Sequence, residues 1–358
     1  MEPPIWTGNE PLAPLSPTQL ETYLQHVSDG ELKLHAIEHS LLTTDGRLTV
    51  LKALIRFHTS KIPWGSLANH YSVQPQPSLQ LTDIVEKLVV RKLGGHCLEI
   101  VPLFAAVIRS LGYDLYFTAA RIGPSMAGNP GVGFHGWSHI ILIVTIEGKK
   151  FVVDPQYHHI TQPVLLDPQG PVVVFESVPT SIVRLRFTSL ASVVPNRASS
   201  SGLMTWIFEY KHRPEDEEWM QSYIFSPESE WFCEDLQIMN VWLAKAEDSY
   251  LSSRLTIKRV LLLKEDALIL NKVTAEDHVI DSTKDGDLVV PELAGSVQLV
   301  DDRLTVWRFG KLEIEQKLET EEERLMIMRK WFGIELKEDQ YPILQGKLAL
   351  PILDSQAK

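Results

Sequence analysis

The stretch RKLGGHCLEIVPLF, Arg91 to Phe104, constrains this chain more than any other. Two glycines break a helical pattern, and an apolar run of helical texture starts directly after a His-Cys pair. The glycines let the backbone turn tightly, so Cys97 is set at the mouth of a helix predicted over Leu98 to Leu111, with Gly112 as its stop. Pro102 falls in the first turn or just beyond, where a missing N–H costs little. A cysteine placed this way has two uses. Most buried cysteines pack as small apolar groups. A thiol at a helix N-terminus also meets free N–H groups and a dipole that favour the thiolate, the form that attacks carbonyl carbon.

Cys233 is the only other cysteine, so no disulfide framework exists. A reducing, cytosolic setting fits and would keep a lone thiol available. At 358 residues the chain exceeds one ordinary domain, and two or three units are expected. Hydrophobic content of 44% and charged content of 22% are those of a folded globular protein. The net charge of −12 argues against a nucleic-acid partner, which needs a clustered basic face. There is no run long enough to span a bilayer, and MEPPIWTGNEPLAPLS lacks the basic and apolar regions of a secretion signal, so no membrane partner is expected.

The first third has helical texture. Leu48, Leu51, Ile55 and His58 recur at helical spacing, LETYLQHV follows a Ser16-Pro17-Thr18 start, and LTDIVEKLVVRK makes a third segment. From Tyr113 the pattern changes to strands: LYFTAARI, HIILIVTI, KFVVDPQY, VVVFESV and SIVRLRF. A long Gly- and Pro-rich loop, Gly123 to Trp137, suggests a binding element. NRASSSG, from Asn196, has the composition of a connector. In the last third LTIKRVLLL, ALILNKVT, DLVVPEL and LTVWRF are predicted strands. LETEEERLMIMRKWFGIEL is a predicted helix, with a Thr320/Glu323 capping box and Gly333 beyond its end.

A nucleophile needs a base. The downstream candidates are His135, His139, His158 and His159; His96 adjoins the cysteine and would point away from the sulfur. His139 opens the strand HIILIVTI. Glu147-Gly148 can form a two-residue hairpin turn, a register that sets Asp154 opposite Ile141. Side chains alternate along a strand, so Asp154 lies diagonal to His139 on one face, within reach of it. An imidazole whose other nitrogen is held by a carboxylate is the arrangement that activates a thiol. Taken singly, His139 could be a satisfied strand histidine and Asp154 a turn residue before Pro155. Taken together, Cys97, His139 and Asp154 favour nucleophilic catalysis. A metal site is disfavoured, since His158 and His159 are adjacent, with rings expected to point opposite ways on a strand, and no cluster has zinc spacing.

These residues resemble the arylamine N-acetyltransferase family in its fungal-like long form. IPWGSLANHYS stands where that family has I-P-F-E-N-L, LGGHCLE resembles R-G-G-x-C-x-E, SHIILIV its histidine strand, and FVVDPQY its D-V-G-F strand. EWFCEDLQIMN and the LETEEERLMIMRKWFGIEL segment are similar to its third domain. The resemblance implies an α+β protein with a papain-like Cys-His-Asp arrangement. Its three parts would be a helical bundle over 1–112 carrying Cys97, a β-barrel over 113–212 carrying His139 and Asp154, and an α/β lid over 213–358. It implies a ping-pong reaction in which the Cys97 thiolate takes an acyl group from acyl-CoA. An arylamine, aminophenol or hydrazine then attacks the thioester. No cofactor would stay bound; acetyl-CoA is the default cosubstrate, with malonyl or propionyl donors possible.

The sequence departs from the family pattern at several places. The Arg before Gly-Gly is Leu93, the Asn after the nucleophile is Val101, and F-E-N is Trp64-Gly65-Ser66. The glycines around D-V-G-F-G are Gln156 and His158, with Tyr157 at the aromatic position. Trp64 and Tyr157 are the candidate acceptor-pocket residues, weighed against ordinary packing. Two alternatives stay open: a transglutaminase-type or hydrolytic Cys-His-Asp enzyme, and a non-catalytic paralogue that binds an acyl-CoA or aromatic ligand.

Overall fold

The computed structural model describes residues 12–72, 76–123, 126, 133–193, 202–246, 249–264, 288, 290–336 and 350. Within them α1 (Pro17–Ser28) starts as the sequence predicts: Ser16 Oγ accepts the Gln19 N–H at 3.3 Å, and Gln19 Oε1 accepts the Ser16 N–H at 3.0 Å. This reciprocal box satisfies two of the N–H groups a helix start leaves unpaired. Next come α2 (Leu34–Ser40) and α3 (Thr44–Lys61), whose predicted stripe is half-buried at Leu48 and buried at Leu51, Ile55 and His58. The Tyr23 hydroxyl pairs with His58 Nδ1 there at 2.8 Å, while Nε2 is buried without a partner among the described residues. After β1 (Trp64–Gly65) and α4 (Leu67–Tyr71), the helix predicted from Leu81 forms α5 (Leu81–Val85), then widens into a π-helical turn at Glu86–Val90. Helix α6 runs Cys97–Ser110, with Pro102 inside it and Gly112 just past its end at φ +76°.

The strands that follow are β2 (Asp114–Ile122), β3 (Trp137–Ile146), β4 (Lys149–Val153), β5 (Val164–Leu165), β6 (Val173–Glu176) and β7 (Ile182–Ser189). A turn of helix, α7 (Leu190–Val193), precedes β8 (Met204–Lys211) and β9 (Met220–Phe225). All eight strands belong to one antiparallel sheet, ordered β5-β4-β3-β2-β9-β8-β7-β6, that curls into a near-closed barrel. Strand β3 is buried on both faces: Ile140, Leu142 and Val144 join the helical core, while Ile141 and Ile143 join the barrel interior with Tyr223 and Phe225. That double burial is why HIILIVTI is apolar without interruption. The barrel does not stop at residue 212. Strand β9 pairs with both β8 and β2, so that boundary falls between two strands of one sheet, hidden in the sequence by the charged run between them.

The remaining elements are α8 (Cys233–Lys245), α9 (Tyr250–Ser253), β10 (Thr256–Leu262), β11 (Leu293–Val300), β12 (Arg303–Arg308), β13 (Lys311–Lys317) and α10 (Glu321–Phe332). The predicted ALILNKVT strand, NRASSSG past Val193 and most of the Gly123–Trp137 loop lie outside the described residues, as does part of DLVVPEL. Helix α10 has the predicted termini, with Thr320 Oγ1 accepting the Glu323 N–H at 3.3 Å and Gly333 at φ +67°. It packs Met328, Trp331 and Phe332 onto a second sheet, ordered β1-β10-β11-β12-β13. Strand β1 is the link that matters for function: Trp64 pairs with Lys258 on β10 and bridges to Gly95 beside Cys97.

Candidate active site

The Gly-Gly turn docks onto the segment before β1. The Gly95 N–H donates to the Pro63 carbonyl at 3.1 Å, and the Gly65 N–H donates to the Gly95 carbonyl at 2.8 Å. Gly94 has φ +67°, and a Cβ there would come within 2.5 Å of the Pro63 oxygen, so only glycine fits without displacing backbone. A Cβ on Gly95 would meet Glu99 Oε2 at 2.8 Å. Glu99 is buried, accepts the His96 N–H at 3.3 Å and pairs with Lys87 at 2.5 Å. His96 is buried too; its Nδ1 accepts the Leu98 N–H at 3.3 Å, and burial holds its pKa down to about 4, so the ring is neutral. Both groups therefore serve the helix start and fix the position of Cys97.

The hairpin register predicted from Glu147-Gly148 is the observed one. Thr145 pairs with Lys150 and Leu142 with Val153, through a turn whose two residues both have positive φ. That brings His139 Nε2 to 2.8 Å from Asp154 Oδ2, with both side chains fully buried. Asp154 Oδ1 accepts the Gln156 and Tyr157 N–H groups at 3.4 and 3.3 Å, so the carboxylate cannot swing away. The hydrogen-bond network assigns the proton of His139 to Nε2. Nδ1 is then an acceptor, and the Gln156 side-chain amide donates to it at 2.8 Å. Tyr223 presents an edge to the imidazole, ring centroids 5.2 Å apart.

Cys97 lies against the start of β3. Its Sγ is 4.0 Å from the Ser138 carbonyl, and the Ile140 and Leu98 N–H groups favour its thiolate. Burial outweighs them and pushes the thiol up to about 12, with Asp154 and Glu99 adding smaller repulsion. Desolvation thus opposes the pull of the helix start towards the thiolate, and ionising the sulfur calls for a base beside it. No hydrogen bond joins Cys97 to His139 among the described residues; the Gln156 amide holds the nitrogen that would take the proton.

A cavity of about 180 Å³ opens beside these groups, lined in part by Trp64, Gln156, Tyr157, Tyr250 and Lys258. Both predicted pocket residues are therefore on its wall. Tyr157 is buried, its hydroxyl paired with Ser222 at 2.8 Å, while Trp64 stacks on Tyr250 with centroids 6.5 Å apart. Burial, and to a smaller degree Cys97, raise the Tyr250 hydroxyl well above its ordinary value. His158 and His159 sit in a turn with ring centroids 4.0 Å apart, not on a strand with rings opposed as expected. No group of three or more His, Cys, Asp or Glu is placed to hold a metal among the described residues. His135 lies before β3 and takes no part in the hydrogen bonds of His139 and Asp154. Cys233 is buried at the start of α8, where Gln237 Nε2 donates to its sulfur at 3.5 Å. Sequence patterns assigned no role to Gln156, Tyr250, Lys87 or Lys258. Gln156 carried the one available signal, as a bulky residue two positions after Asp154.

The fold is that of solved arylamine N-acetyltransferases. The Mycobacterium marinum enzyme, in complex with CoA, aligns with a TM-score of 0.61 at 22% identity over 88% of this chain and 92% of its own. The Nocardia farcinica enzyme aligns with a TM-score of 0.63 at 20% identity over 90% and 91%. A family model described as N-acetyltransferase matches residues 47–290, and the chain belongs to this arylamine N-acetyltransferase family. It is an acyltransferase. An N-malonyltransferase, FDB2 of Fusarium pseudograminearum, is 24% identical over 94% of this chain and 93% of its own. No described helix is long and apolar enough to cross a membrane.

Proposed function

We propose that the chain moves an acyl group from acyl-CoA to an arylamine, aminophenol or hydrazine through a thioester on Cys97. The observation that carries this reading is the His139 imidazole, held at Nε2 by Asp154 at 2.8 Å on the strand that faces the buried thiol. When Gln156 yields Nδ1, His139 takes the Cys97 proton and Asp154 stabilises the imidazolium. The thiolate attacks the acyl carbon, the bond to CoA sulfur breaks, and the proton leaves with CoA. The amine nitrogen then attacks the thioester; its proton passes by way of His139 back to the Cys97 sulfur as the amide departs. Dividing amide synthesis into two exchanges avoids one difficult step. Backbone N–H groups around Cys97 would stabilise the tetrahedral oxyanion. Trp64 and Tyr157 flank the acceptor ring. Malonyl joins acetyl as a proposed donor, a reading supported by the N-malonyltransferase among the relatives, and a reducing compartment such as the cytoplasm keeps the thiol free.

Intact-mass spectrometry after exposure to acetyl-, propionyl- and malonyl-CoA tests the reading. One acyl adduct is expected, discharged by an aniline or aminophenol, absent in Cys97→Ser and present in Cys233→Ser. An adduct on Cys233, or peptide hydrolysis without CoA, overturns it.

A further inference from the structure

Lys258 stands out among the cavity residues. Strand β10 sets it between Trp64 and Gln298, its partners on β1 and β11, and all three line the cavity whose wall also carries Gln156, the partner of His139. Those cross-strand neighbours are neutral, and no lining residue is an aspartate or glutamate. No ion pair or hydrogen bond reaches its ammonium among the described residues. The next residue, Arg259, lies on the other face and has its guanidinium committed to the Ser60 and Trp331 carbonyls. The Lys258 side chain is partly exposed; packing against the cavity wall lowers its pKa to about 8, which leaves it mainly protonated at neutral pH. Two of the three lining histidines do not share the charge: burial holds His158 down to about 3 and His159 well below its ordinary value.

An ammonium walled by aromatic rings and neutral imidazoles, without a counter-charge, has the electrostatics of a site that receives an anion from outside. We propose that Lys258 receives a carboxylate carried by the substrate, so that this cavity selects an acidic acyl group or an acidic aromatic amine. This deepens the acyl-transfer reading and rests on it for the substrate's identity. The volume of about 180 Å³ suits a single substituent or ring, since an apolar cavity of roughly 150 Å³ holds one benzene. The carboxylate has two possible sources, and kinetics separate them. On the donor it would be the distal group of a malonyl thioester; on the acceptor it would be that of an aminobenzoate.

The test follows acylation by malonyl-CoA against acetyl-CoA, and discharge of the acetyl-enzyme by 4-aminobenzoate against aniline, in wild type, Lys258→Met and Lys258→Gln. One ratio is expected to fall about tenfold or more in both variants, the scale of a lost charge-assisted hydrogen bond, and the ratio that falls names the source. The exposed Lys311→Met should move neither ratio. A readout without turnover is the melting temperature under titration with benzoate and with malonate. Saturable stabilisation of wild type that the variants lose supports the site even if no adduct forms, which would overturn only the acyl-transfer reading. Unmoved ratios together with no such stabilisation overturn the proposal and leave acyl transfer standing. Because the cation is unpaired, Lys258→Met should melt no lower than wild type.

Discussion

The side-chain amide of Gln156 donates to Nδ1 of His139 at 2.8 Å, on the ring nitrogen opposite the one Asp154 holds. That nitrogen is the acceptor a Cys97 proton must reach, so amide and thiol compete for one lone pair. Gln156→Leu, which keeps bulk and drops the donor, is expected to speed iodoacetamide modification of Cys97 near pH 7 by roughly tenfold, the worth of a hydrogen bond of about 1.4 kcal/mol. Gln156→Ala should do at least as much. A slower or unchanged rate in the leucine variant would show that the amide does not restrain the base.

Burial pushes the Cys97 thiol up to about 12, so the thiolate is a small fraction near neutral pH that grows as pH rises. In His139→Asn nothing beside the sulfur takes its proton. The alkylation rate should then climb about tenfold per pH unit from about pH 7 to about pH 10 without a plateau, following the thiolate fraction. Wild type should lie above that line at neutral pH. A plateau in the variant near pH 8 would mean an ordinary, solvated thiol.

Lys87 and Glu99 meet at 2.5 Å, with Lys87 partly exposed and Glu99 buried under the Gly-Gly turn. Lys87→Met leaves the carboxylate without its cation, and urea melts should show a loss of about 2 kcal/mol, below the full value of a wholly buried pair because Lys87 is partly solvated. Glu99→Gln keeps an oxygen for the His96 N–H, needs no cation, and should lose less. Equal losses would indicate that the cap, not the ion pair, sets the stability of this turn.

Acid should destabilise the fold through histidines buried in neutral form. Burial holds His58 and His158 down to about 3 and His96 to about 4, against an ordinary 6.5. The unfolded chain therefore binds protons that the folded chain refuses, so stability present above pH 6.5 is lost as pH falls towards about 4 for His96 and about 3 for His58 and His158. Each such group contributes up to about 1.4 kcal/mol per pH unit. His58→Gln should make the slope of unfolding free energy against pH shallower by about that amount. An unaltered slope would place a protonated His58 in the folded state.

Legibility from sequence followed the range of the interactions involved. The Ser16 and Thr320 caps, the stop at Gly112 and the Glu147-Gly148 hairpin are settled by residues two to four positions apart, and each was readable. So was the meeting of His139 with Asp154, because a two-residue turn and a period of two leave one register. Strands β8 and β9 were obscured by the charged loop that joins them, and the π-turn at Glu86–Val90 leaves no mark that separates it from an ordinary helix.

The sequence by itself determined the order of the reactive groups, the start of the helix that carries Cys97, and the carboxylate partner of His139, because local backbone geometry specifies all three. Only the tertiary structure decided that the sulfur is desolvated, that Gln156 turns its amide into the base, and that Lys258 shares a cavity with Gln156 without a counter-charge. Those outcomes depend on which distant surfaces exclude water from one another, and desolvation belongs to the packed whole rather than to any short stretch of chain.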